Sequence, residues 1–486
     1  MRPAVAIAII LLAFVTIAYK FYGIRYVDTT TAIPEELYPS EHASLSKTPP
    51  HKGSEDSKHD SQPSHPSVSP PKGNPSATGK DWDPSETYHE VFSVSTKDKK
   101  FFYLQFGDQR GINPNIIPHP TENDTWIMVS QWHNDRIRDG AYSFFFSQIA
   151  CNAVFEDGKL VCNSVVTNLP IAATTGPHEL CADPDKVPAY FGLSLGSHDA
   201  RLFYGPETPY VLYGSISMYT CFSQWMLDFR ILVDWPWNMA ELKEAYSNPW
   251  PFREATEIER PPPFGIIEKN WFVFWDSKDE MYMHMDIAPK RSFAKFDMDG
   301  KMGKNLEPMA FSTDERCIDE LMPKAPRAEE HLEDIHQATN SLKITLCVRA
   351  DPDCKPDDTN TFIMAIFHHK TFFDWHGVYD PFVLLFQQSP PFAIHGVSQK
   401  PIWFHGRGGP GEGRKPDFRP DDMPWNQTQM LFTTSISWKQ QGLTYHGYLD
   451  DVMFVGFGVE DRDTAAIDVM AGDLLGGMAL CGSLID

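Results

Sequence analysis

The sequence lacks several features that would point to common function classes. None of its eight cysteines belongs to a Cys-x-x-Cys pair, so a zinc site is not expected. Positive charge is scarce: 42 Lys and Arg against 65 Asp and Glu give a net charge of −23, which argues against nucleic acid as a partner. Helix-like patterns are few, and the clearest are Met239–Ser247 and Arg327–Asn340. What remains is a strand-rich, acidic chain of 486 residues.

An uncharged apolar run, Pro3–Tyr19, lies near the N-terminus and is flanked by basic residues. Its length is about the minimum for a membrane-spanning helix. We therefore predict a signal anchor over residues 1–25. A cleaved signal peptide is the alternative, although no small-residue cleavage site follows the run.

The segment 26–82 has almost no apolar residues and is rich in Pro, Ser, Lys and His. Such a composition cannot bury enough surface to offset the entropy of ordering the chain. We predict a disordered stem that holds the following domain away from the membrane.

All eight cysteines lie beyond the stem, where an even number after a secretory anchor suggests disulfides. Cys347 and Cys354 are close enough in sequence to close a small loop, and free core thiols are the alternative. Two glycosylation sequons begin at Asn123 and Asn426. These features favour a single-pass type II protein with a lumenal C-terminal domain, in the Golgi or another secretory membrane.

The part from residue 83 to 486 is predicted to be all-β. Five similar strand-like runs, rich in aromatic and β-branched residues, recur roughly every 60 to 90 residues. They are Thr125–Gln131, Tyr210–Ser217, Trp271–Ser277, Thr361–His368 and Met430–Ser437. Five such units predict a five-bladed β-propeller, with a pair of β-sandwiches as the alternative.

Four polar clusters adjoin these strand-like runs. In a propeller, the ends of inner strands from several blades meet at one channel and can form one site. The candidate site residues are Asp199 and Arg201 in "LGSHDARLFY", Lys269, Asn270 and Trp271 in "IIEKNWFVFW", Tyr445, His446 and Asp450 in "LTYHGYLDD", and Asp135 in "SQWHNDRIRDG".

These clusters resemble motifs of the five-bladed propeller superfamily of β-mannoside phosphorylases, hydrolases and related mannosyltransferases. That superfamily carries a Gly-x-Glu-Asp-Pro-Arg motif, a Lys-Asn segment and a His-Gly motif. Here "GSHDAR", "KNW" and "YHG" stand at those places, and "NPNIIPHP" resembles the start of the first blade. His198 replaces the motif's Glu, and Ala200 replaces its Pro.

The resemblance implies roles for individual residues. A single Asp after the first blade's strand donates the proton, and Asp135 is the nearest match, with Asp139 the second. The phosphate-binding cations would be Arg201 and Lys269, with His446 nearby. Because His198 replaces the motif's Glu, the resemblance does not specify which group of the substrate is bound at this position.

The residue chemistry is compatible with those roles. Breaking or forming a glycosidic bond needs an acid at the bridging oxygen and stabilisation of charge at the sugar carbon. Asp135 can supply the acid, Arg201 and Lys269 can hold a phosphate, and Trp271 or Trp132 can stack on a sugar. Asp450, with its neighbour Asp451, has a simpler alternative role, the orientation of arginine side chains.

A metal is not part of the main prediction. Asp297 and Asp299 in "FDMDG" have the Asp-x-Asp spacing that many sugar-nucleotide transferases use to bind a divalent cation. The spacing also recurs elsewhere in this acidic chain, and Asp-Gly forms ordinary turns. No cofactor is therefore expected.

Two function classes remain. The first is a membrane-anchored carbohydrate-active enzyme that transfers a glycosyl group, most simply mannosyl, to or from a glycan, a sugar phosphate or a sugar nucleotide. A β-mannoside phosphorylase or hydrolase is the variant within this class. The second is a non-catalytic propeller that binds glycans or proteins.

Overall fold

The computed structural model describes residues 82–132, 145–176, 181, 191, 195–233, 251–325, 327–328, 331–373, 376–417 and 424–484. The predicted anchor, nearly all of the predicted stem, Asp135 and the predicted helix Met239–Ser247 lie outside these residues. Among the residues that are described, no helix is both long and apolar enough to cross a membrane.

Short strands dominate the described residues. They are β1 (His89–Val91), β2 (Phe102–Gln105), β3 (Gly111–Pro118), β4 (Trp126–Trp132), β5 (Phe145–Phe146), β6 (Gln148–Glu156), β7 (Lys159–Cys162), β8 (Thr167–Asn168), β9 (Leu195–Gly196), β10 (His198–Tyr204), β11 (Pro209–Ile216), β12 (Phe222–Asp228), β13 (Thr256–Glu257), β14 (Phe272–Trp275), β15 (Met281–Asp286), β16 (Ser292–Lys295), β17 (Arg327–Ala328), β18 (His331–Leu332), β19 (Asp334–Gln337), β20 (Leu342–Thr345), β21 (Thr361–Phe373), β22 (His376–Gln387), β23 (Ile394–Ser398), β24 (Ile402–Phe404), β25 (Leu431–Trp438), β26 (His446–Tyr448), β27 (Val452–Val459), β28 (Asp463–Met470) and β29 (Met478–Leu480). The α-helices are α1 (Phe311–Leu321) and α2 (Ala471–Leu474). The predicted all-β class is confirmed.

Within the described residues, the main strand pairings form five antiparallel groups. The first group is β3, β4, β6 and β7, and the second is β10 to β13. The third is β14 to β16, and the fourth is β20 to β23. The fifth is β25, β27 and β28, joined by β2 from the other end of the described chain. Strand β2 also pairs in parallel with β7, so the first and fifth groups are continuous in one nine-stranded sheet.

The first strands of these groups contact one another in a closed cycle. Side chains on or just before one first strand donate to backbone oxygens of another first strand, and buried carbonyls need such partners. The links are Asn115 to Ala200 O (2.7 Å), Ser341 to Val273 O (2.6 Å), Asn340 to Ile436 O (2.9 Å) and Thr434 to Pro114 O (2.6 Å). The remaining link, between β10 and the segment before β14, is made by Arg201 and belongs to the site described below.

Alternation along β10 decides what each of its side chains faces. Leu202 packs in a cluster with Ile117 and Ile127 of the first group. Phe203 belongs to a different cluster, which contains Trp275 of the third group. Successive side chains of a strand point to opposite faces, so Arg201, two residues before Phe203, faces the third group.

All eight cysteines are paired, which confirms the predicted disulfides. The pairs are Cys151–Cys162, Cys181–Cys221, Cys317–Cys481 and Cys347–Cys354. The last closes the small loop expected from the sequence. Cys317–Cys481 joins helix α1 to the C-terminal 3-10 turn Cys481–Leu484.

The helix predicted over Arg327–Asn340 is wrong. Three strands, β17 to β19, lie in that range, and β19 pairs with β21 from Asp334↔Lys370 to Gln337↔Phe367. The charged "EEHLEDIHQ" pattern suits a helix locally, but cross-strand pairing with the long strand β21 overrides this weak preference.

Candidate functional site

Three Asx residues adopt the left-handed backbone conformation near the starts of successive first strands. The φ angles are 56° for Asn113, 44° for Asp199 and 63° for Asn270. Asn and Asp tolerate this region better than other non-glycine residues. Asn113 and Asp199 lie at register shifts of β3 and β10, and Asn270 directly precedes Trp271 and β14. Such outliers cluster at functional sites, so their recurrence marks this end of the first strands.

Hydrogen bonds join the three residues into one polar cluster, with Arg201 as the link between Asp199 and Asn270. Asn113 Nδ2 donates to Asp199 Oδ1 at 2.6 Å, and the Asp199 backbone N–H donates to Gln131 Oε1 at 2.9 Å. Arg201 Nη2 donates to Asn270 Oδ1 at 3.0 Å. The cluster therefore joins three groups of strands. It contains two residues of the first group, residues of one strand of the second group and the residue that precedes the third group.

Arg201 is the most deeply placed cation of the cluster. It is 2% exposed, and its Nε donates to Ala338 O at 2.8 Å. Burial lowers its pKa to about 10, and the negative charge of Asp199 acts in the opposite direction. The guanidinium therefore stays charged at neutral pH and is held by neutral oxygens.

The side chains of Asp199 and Arg201 do not pair with each other. The Arg201 Nη1 atom donates to the backbone oxygen of Asp199 at 3.4 Å, whereas the carboxylate accepts from Asn113. The register shift between His198 and Arg201 directs the two side chains to different neighbours. The carboxylate and the guanidinium are separate binding groups.

Neutral imidazoles and a second cation surround this cluster. Burial lowers the pKa of His336 to about 3, with further lowering by the positive charges of Lys370, Lys269 and Arg201. Burial lowers the pKa of His198 to about 4; Asp199 partly offsets this, and Lys269 adds to it. Lys269 is exposed, and its Nζ lies 5.6 Å from the centroid of the Phe191 ring. The site is thus locally positive in a chain of net charge −23.

His336 lies against an aromatic wall. Its ring is 6.2 Å from that of Phe432 and 5.9 Å from that of Tyr379, between centroids. His368, fully buried behind it, accepts a hydrogen bond at Nε2 from the Thr433 N–H (3.2 Å). His336 and Phe432 are half-buried, so these two rings, unlike the buried Tyr379 and His368, can contact a sugar face.

Two predicted site residues belong to the core instead. Trp271 is 1% exposed and packs inside the largest hydrophobic cluster, so no face of its indole is open to a sugar. Tyr445 is also 1% exposed, and its hydroxyl binds Ser341 Oγ at 2.8 Å and the Trp275 N–H at 3.2 Å. Both are large aromatic rings at strand approaches, where packing competes with binding.

The structure does not bring His446 to Arg201. His446 pairs with Lys343 of β20, and Lys343 lies opposite Ile363 on β21. Gln337, beside the site, lies opposite Phe367 on the same strand β21. Four residues along a strand separate the two places by roughly 13 Å. The "YHG" segment forms β26 at the edge of the fourth group rather than the start of a first strand.

At this second place, the polar residues satisfy one another. His446 Nε2 lies 2.7 Å from Thr345 Oγ1, and burial lowers its pKa to about 4. Asp450 Oδ1 accepts from the Arg349 backbone N–H at 2.6 Å, and Asp451 forms an ion pair with the Arg349 guanidinium at 2.6 Å. The alternative role, the orientation of an arginine side chain, fits Asp451, whereas Asp450 holds the Arg349 backbone.

Asp135 lies outside the described residues, but its described neighbours lie at the site. Gln131 binds Asp199, and the Trp132 N–H donates to Ser147 O at 2.9 Å. Phe146 packs against His198 with ring centroids 3.7 Å apart. The assignment of Asp135 as the acid stays a prediction.

Sequence reasoning did not single out several residues that complete the cluster. Asn113 belongs to the "NPNIIPHP" motif and Gln131 to the "SQWHNDRIRDG" segment, but neither is a candidate site residue there. His336 and Gln337 belong to none of the four polar clusters of the sequence. The sequence contains one signal: an Asn or Asp stands near the start of three strand-like runs. Asn and Asp are the non-glycine residues that occur most readily at left-handed backbone positions. For the others no sequence signal exists, because strand pairing alone brings them together.

Comparison with known proteins gives matches to solved structures only. No protein-family model matches the sequence, and no curated protein does either. A β-1,2-mannobiose phosphorylase from Listeria innocua, in complex with β-1,2-mannobiose, is 10% identical over 79% of this chain and 96% of that chain, with a TM-score of 0.39. MPT-1, a GDP-Man-dependent mannosyltransferase from Leishmania mexicana, is 9% identical over 78% and 91%, with a TM-score of 0.35. A GH43 endo-arabinanase from Bacillus licheniformis is 9% identical over 76% and 96%, with a TM-score of 0.32.

Proposed function

We propose that residues 83–486 form a five-bladed β-propeller enzyme that acts on glycosidic bonds, most simply by mannosyl transfer. The five antiparallel groups are its blades, and the closed cycle of first strands lines its channel. The cluster of Asn113, Asp199, Arg201 and Asn270 binds the sugar and its phosphate, with Lys269 at the rim.

One observation carries this proposal. A buried, charged guanidinium is held at fixed geometry by uncharged acceptors, Ala338 O and Asn270 Oδ1, with a separate carboxylate beside it. Among the described residues, no carboxylate pairs with this planar fork, and such a fork favours an anionic or hydroxyl-rich ligand. The motif resemblance around Gly196–Arg201 and Lys269–Trp271 supports the same proposal independently.

The test is a substrate panel with the full chain in detergent. Three reactions separate the classes: β-1,2-mannobiose with inorganic phosphate, β-1,2-mannobiose in water, and GDP-mannose with a mannoside acceptor. Release of mannose 1-phosphate, free mannose or GDP identifies a phosphorylase, a hydrolase or a transferase, respectively. Binding of mannosides without turnover in every reaction would favour the non-catalytic glycan-binding propeller.

Replacing Arg201 with Lys is expected to weaken binding of mannose 1-phosphate by about 1–3 kcal/mol while the fold persists. Lysine keeps the charge but cannot reach Ala338 O and Asn270 Oδ1 together with a planar donor set. Isothermal titration gives the affinity, and calorimetric melting reports the fold.

Arg349→Lys is the matched control for this experiment. It makes the same exchange of a guanidinium for an ammonium, but at the second place, where the guanidinium pairs with Asp451. We expect affinity to stay unchanged. If Arg349→Lys weakens binding and Arg201→Lys does not, the ligand site lies with His446 and Asp450 instead.

We also propose that the chain is anchored once in a secretory-pathway membrane, with residues 83–486 in the lumen. Four disulfides and no free cysteine among the described residues favour an oxidising compartment. The side chains of Asn123 and Asn426 are exposed, as glycan attachment requires. Intact microsomes should protect the domain from protease, and Asn123→Gln and Asn426→Gln should each remove one glycosidase-sensitive step in gel mobility.

Detergent provides the control for protection, because the domain should become digestible once the membrane is dissolved. Digestion in intact microsomes, or a mobility that neither substitution changes, would contradict the lumenal assignment.

A further inference from the structure

A buried chain of hydrogen bonds runs from helix α1 to the candidate site. Arg291 Nη1 donates to Asp314 Oδ2 at 2.6 Å, and Arg291 Nε donates to His284 Nε2 at 3.1 Å. His284 Nδ1 in turn bonds Gln337 Oε1. Gln337 Nε2 then donates to Asn270 O at 2.9 Å. These side chains are at most 3% exposed, apart from Asn270 at the end of the chain.

The direction of every bond in this chain is determined. Arginine Nε–H can only donate, so His284 Nε2 must accept and the imidazole proton must lie on Nδ1. That proton is donated to Gln337 Oε1, which orients the Gln337 amide with its Nε2 toward the backbone oxygens of Asn270, His284 and Met285. Burial, with the positive charge of Arg291, holds the pKa of His284 well below its usual range, so the ring is neutral as this pattern requires.

Gln337 lies next to both acceptors of the Arg201 guanidinium. Its Nε2 holds the backbone of Asn270, whose side chain accepts from Arg201 Nη2. Its chain neighbour Ala338 supplies the carbonyl that accepts from Arg201 Nε. The left-handed backbone of Asn270 is unfavourable by itself and persists where surrounding contacts hold it.

We propose that Gln337, oriented by His284 and Arg291, is a positioning residue that fixes the two acceptors of Arg201 and thereby the plane of its guanidinium. Gln337 itself need not touch the ligand. The inference rests on the proposed function for its ligand readout, but the coupling between Gln337 and Arg201 exists without any ligand.

The test is a double-mutant cycle with Gln337→Met and Arg201→Lys in the full chain. Such a cycle isolates the interaction between two residues from their separate effects. If Gln337 acts through Arg201, each change alone weakens mannose 1-phosphate binding about tenfold or more, and the double variant loses little beyond the larger single loss. Independent roles give losses that multiply, and that result would overturn the proposal.

Two further variants keep the test decisive. Gln337→Glu still accepts from His284 but cannot donate to Asn270, so it replaces the methionine variant if that one fails to fold, with the same expected loss. Gln388→Met is the control: Gln388 is 6% exposed, and its Nε2 bonds Asp358 at 3.0 Å, outside the site. We expect it to change melting without changing affinity, and an equal loss of affinity in this control would refute the assignment.

A ligand-free arm separates failure of this inference from failure of the proposed function. The same four proteins are unfolded with denaturant, and the coupling between positions 201 and 337 is taken from their unfolding equilibrium constants. A coupling of about tenfold supports the positioning role even if no mannoside or mannose 1-phosphate binds. Additive effects on unfolding would overturn it even if the wild-type protein binds sugar.

Discussion

Asp135→Asn is expected to lower turnover by about 10²- to 10⁴-fold, the usual contribution of a placed proton donor. Asparagine keeps the shape and most hydrogen bonds of the side chain but cannot donate or accept the catalytic proton. Binding of the sugar ligand should therefore change little. Steady-state rates on the active reaction of the panel, together with ligand titration, measure the two effects separately.

The described structure gives this prediction its spatial basis. Gln131, four residues before Asp135, accepts the backbone N–H of Asp199, and Phe146 contacts the ring of His198. The last described residues before Asp135 and the first described residues after it therefore both lie beside the polar cluster. Asp135 is the first carboxylate along the sequence after this point.

Asp139→Asn is the matched control, and it should be nearly silent. Loss of activity in Asp139→Asn with normal activity in Asp135→Asn would assign the acid to Asp139. If neither change matters in an active chain, a nucleotide-dependent transferase with a metal at Asp297 and Asp299 becomes the better hypothesis. In the structure, Asp297 Oδ1 accepts the backbone N–H groups of Asp299 and Lys301 at 3.0 Å each, as in an ordinary turn.

Removing the Cys317–Cys481 disulfide by replacing both residues with Ala is expected to lower the free energy of unfolding by about 5 kcal/mol. The pair is separated by 164 residues, so the disulfide restricts a very large loop of the unfolded chain. Cys317 is fully buried in the main hydrophobic cluster, and truncation there also leaves a small cavity. Denaturant unfolding of the purified variants measures the difference.

The Cys347–Cys354 pair provides the comparison within the same chain. Its seven-residue separation predicts a smaller loss, about 2.5 kcal/mol, for the corresponding double Ala variant. If the two variants lose equal stability, loop entropy is not the controlling factor, and the local packing around each pair decides instead.

Much of the strand architecture follows from local patterns. The aromatic and β-branched runs at Thr125–Gln131, Tyr210–Ser217 and Thr361–His368 coincide closely with β4, β11 and part of β21. Alternating burial and β-propensity act within a few residues, so these strands can be predicted from the sequence alone. The even number of cysteines likewise predicted disulfides, although only proximity in the fold selects Cys317 and Cys481 as partners.

Some residues of the candidate site can likewise be predicted from local patterns, and others cannot. The sequence by itself singled out Asp199, Arg201 and Asn270, because charged and Asx residues stand out beside apolar strands, and the structure places these three residues together. It could not tell that Trp271 and Tyr445 fill the core, since burial depends on which sheets pack against them. It also misplaced His446, because a short strand can join an edge as readily as begin a new group.

What only the tertiary structure decided is which distant residues hold the guanidinium. Gln337 and Ala338 lie within the segment that has a helical pattern, and pairing of β19 with β21 brings them beside Arg201, more than 130 positions away in sequence. Residue type and spacing determine strands and turns because those forces are local. Hydrogen-bond partners across strands depend on register and on the order of the groups, which nothing in a single local pattern specifies.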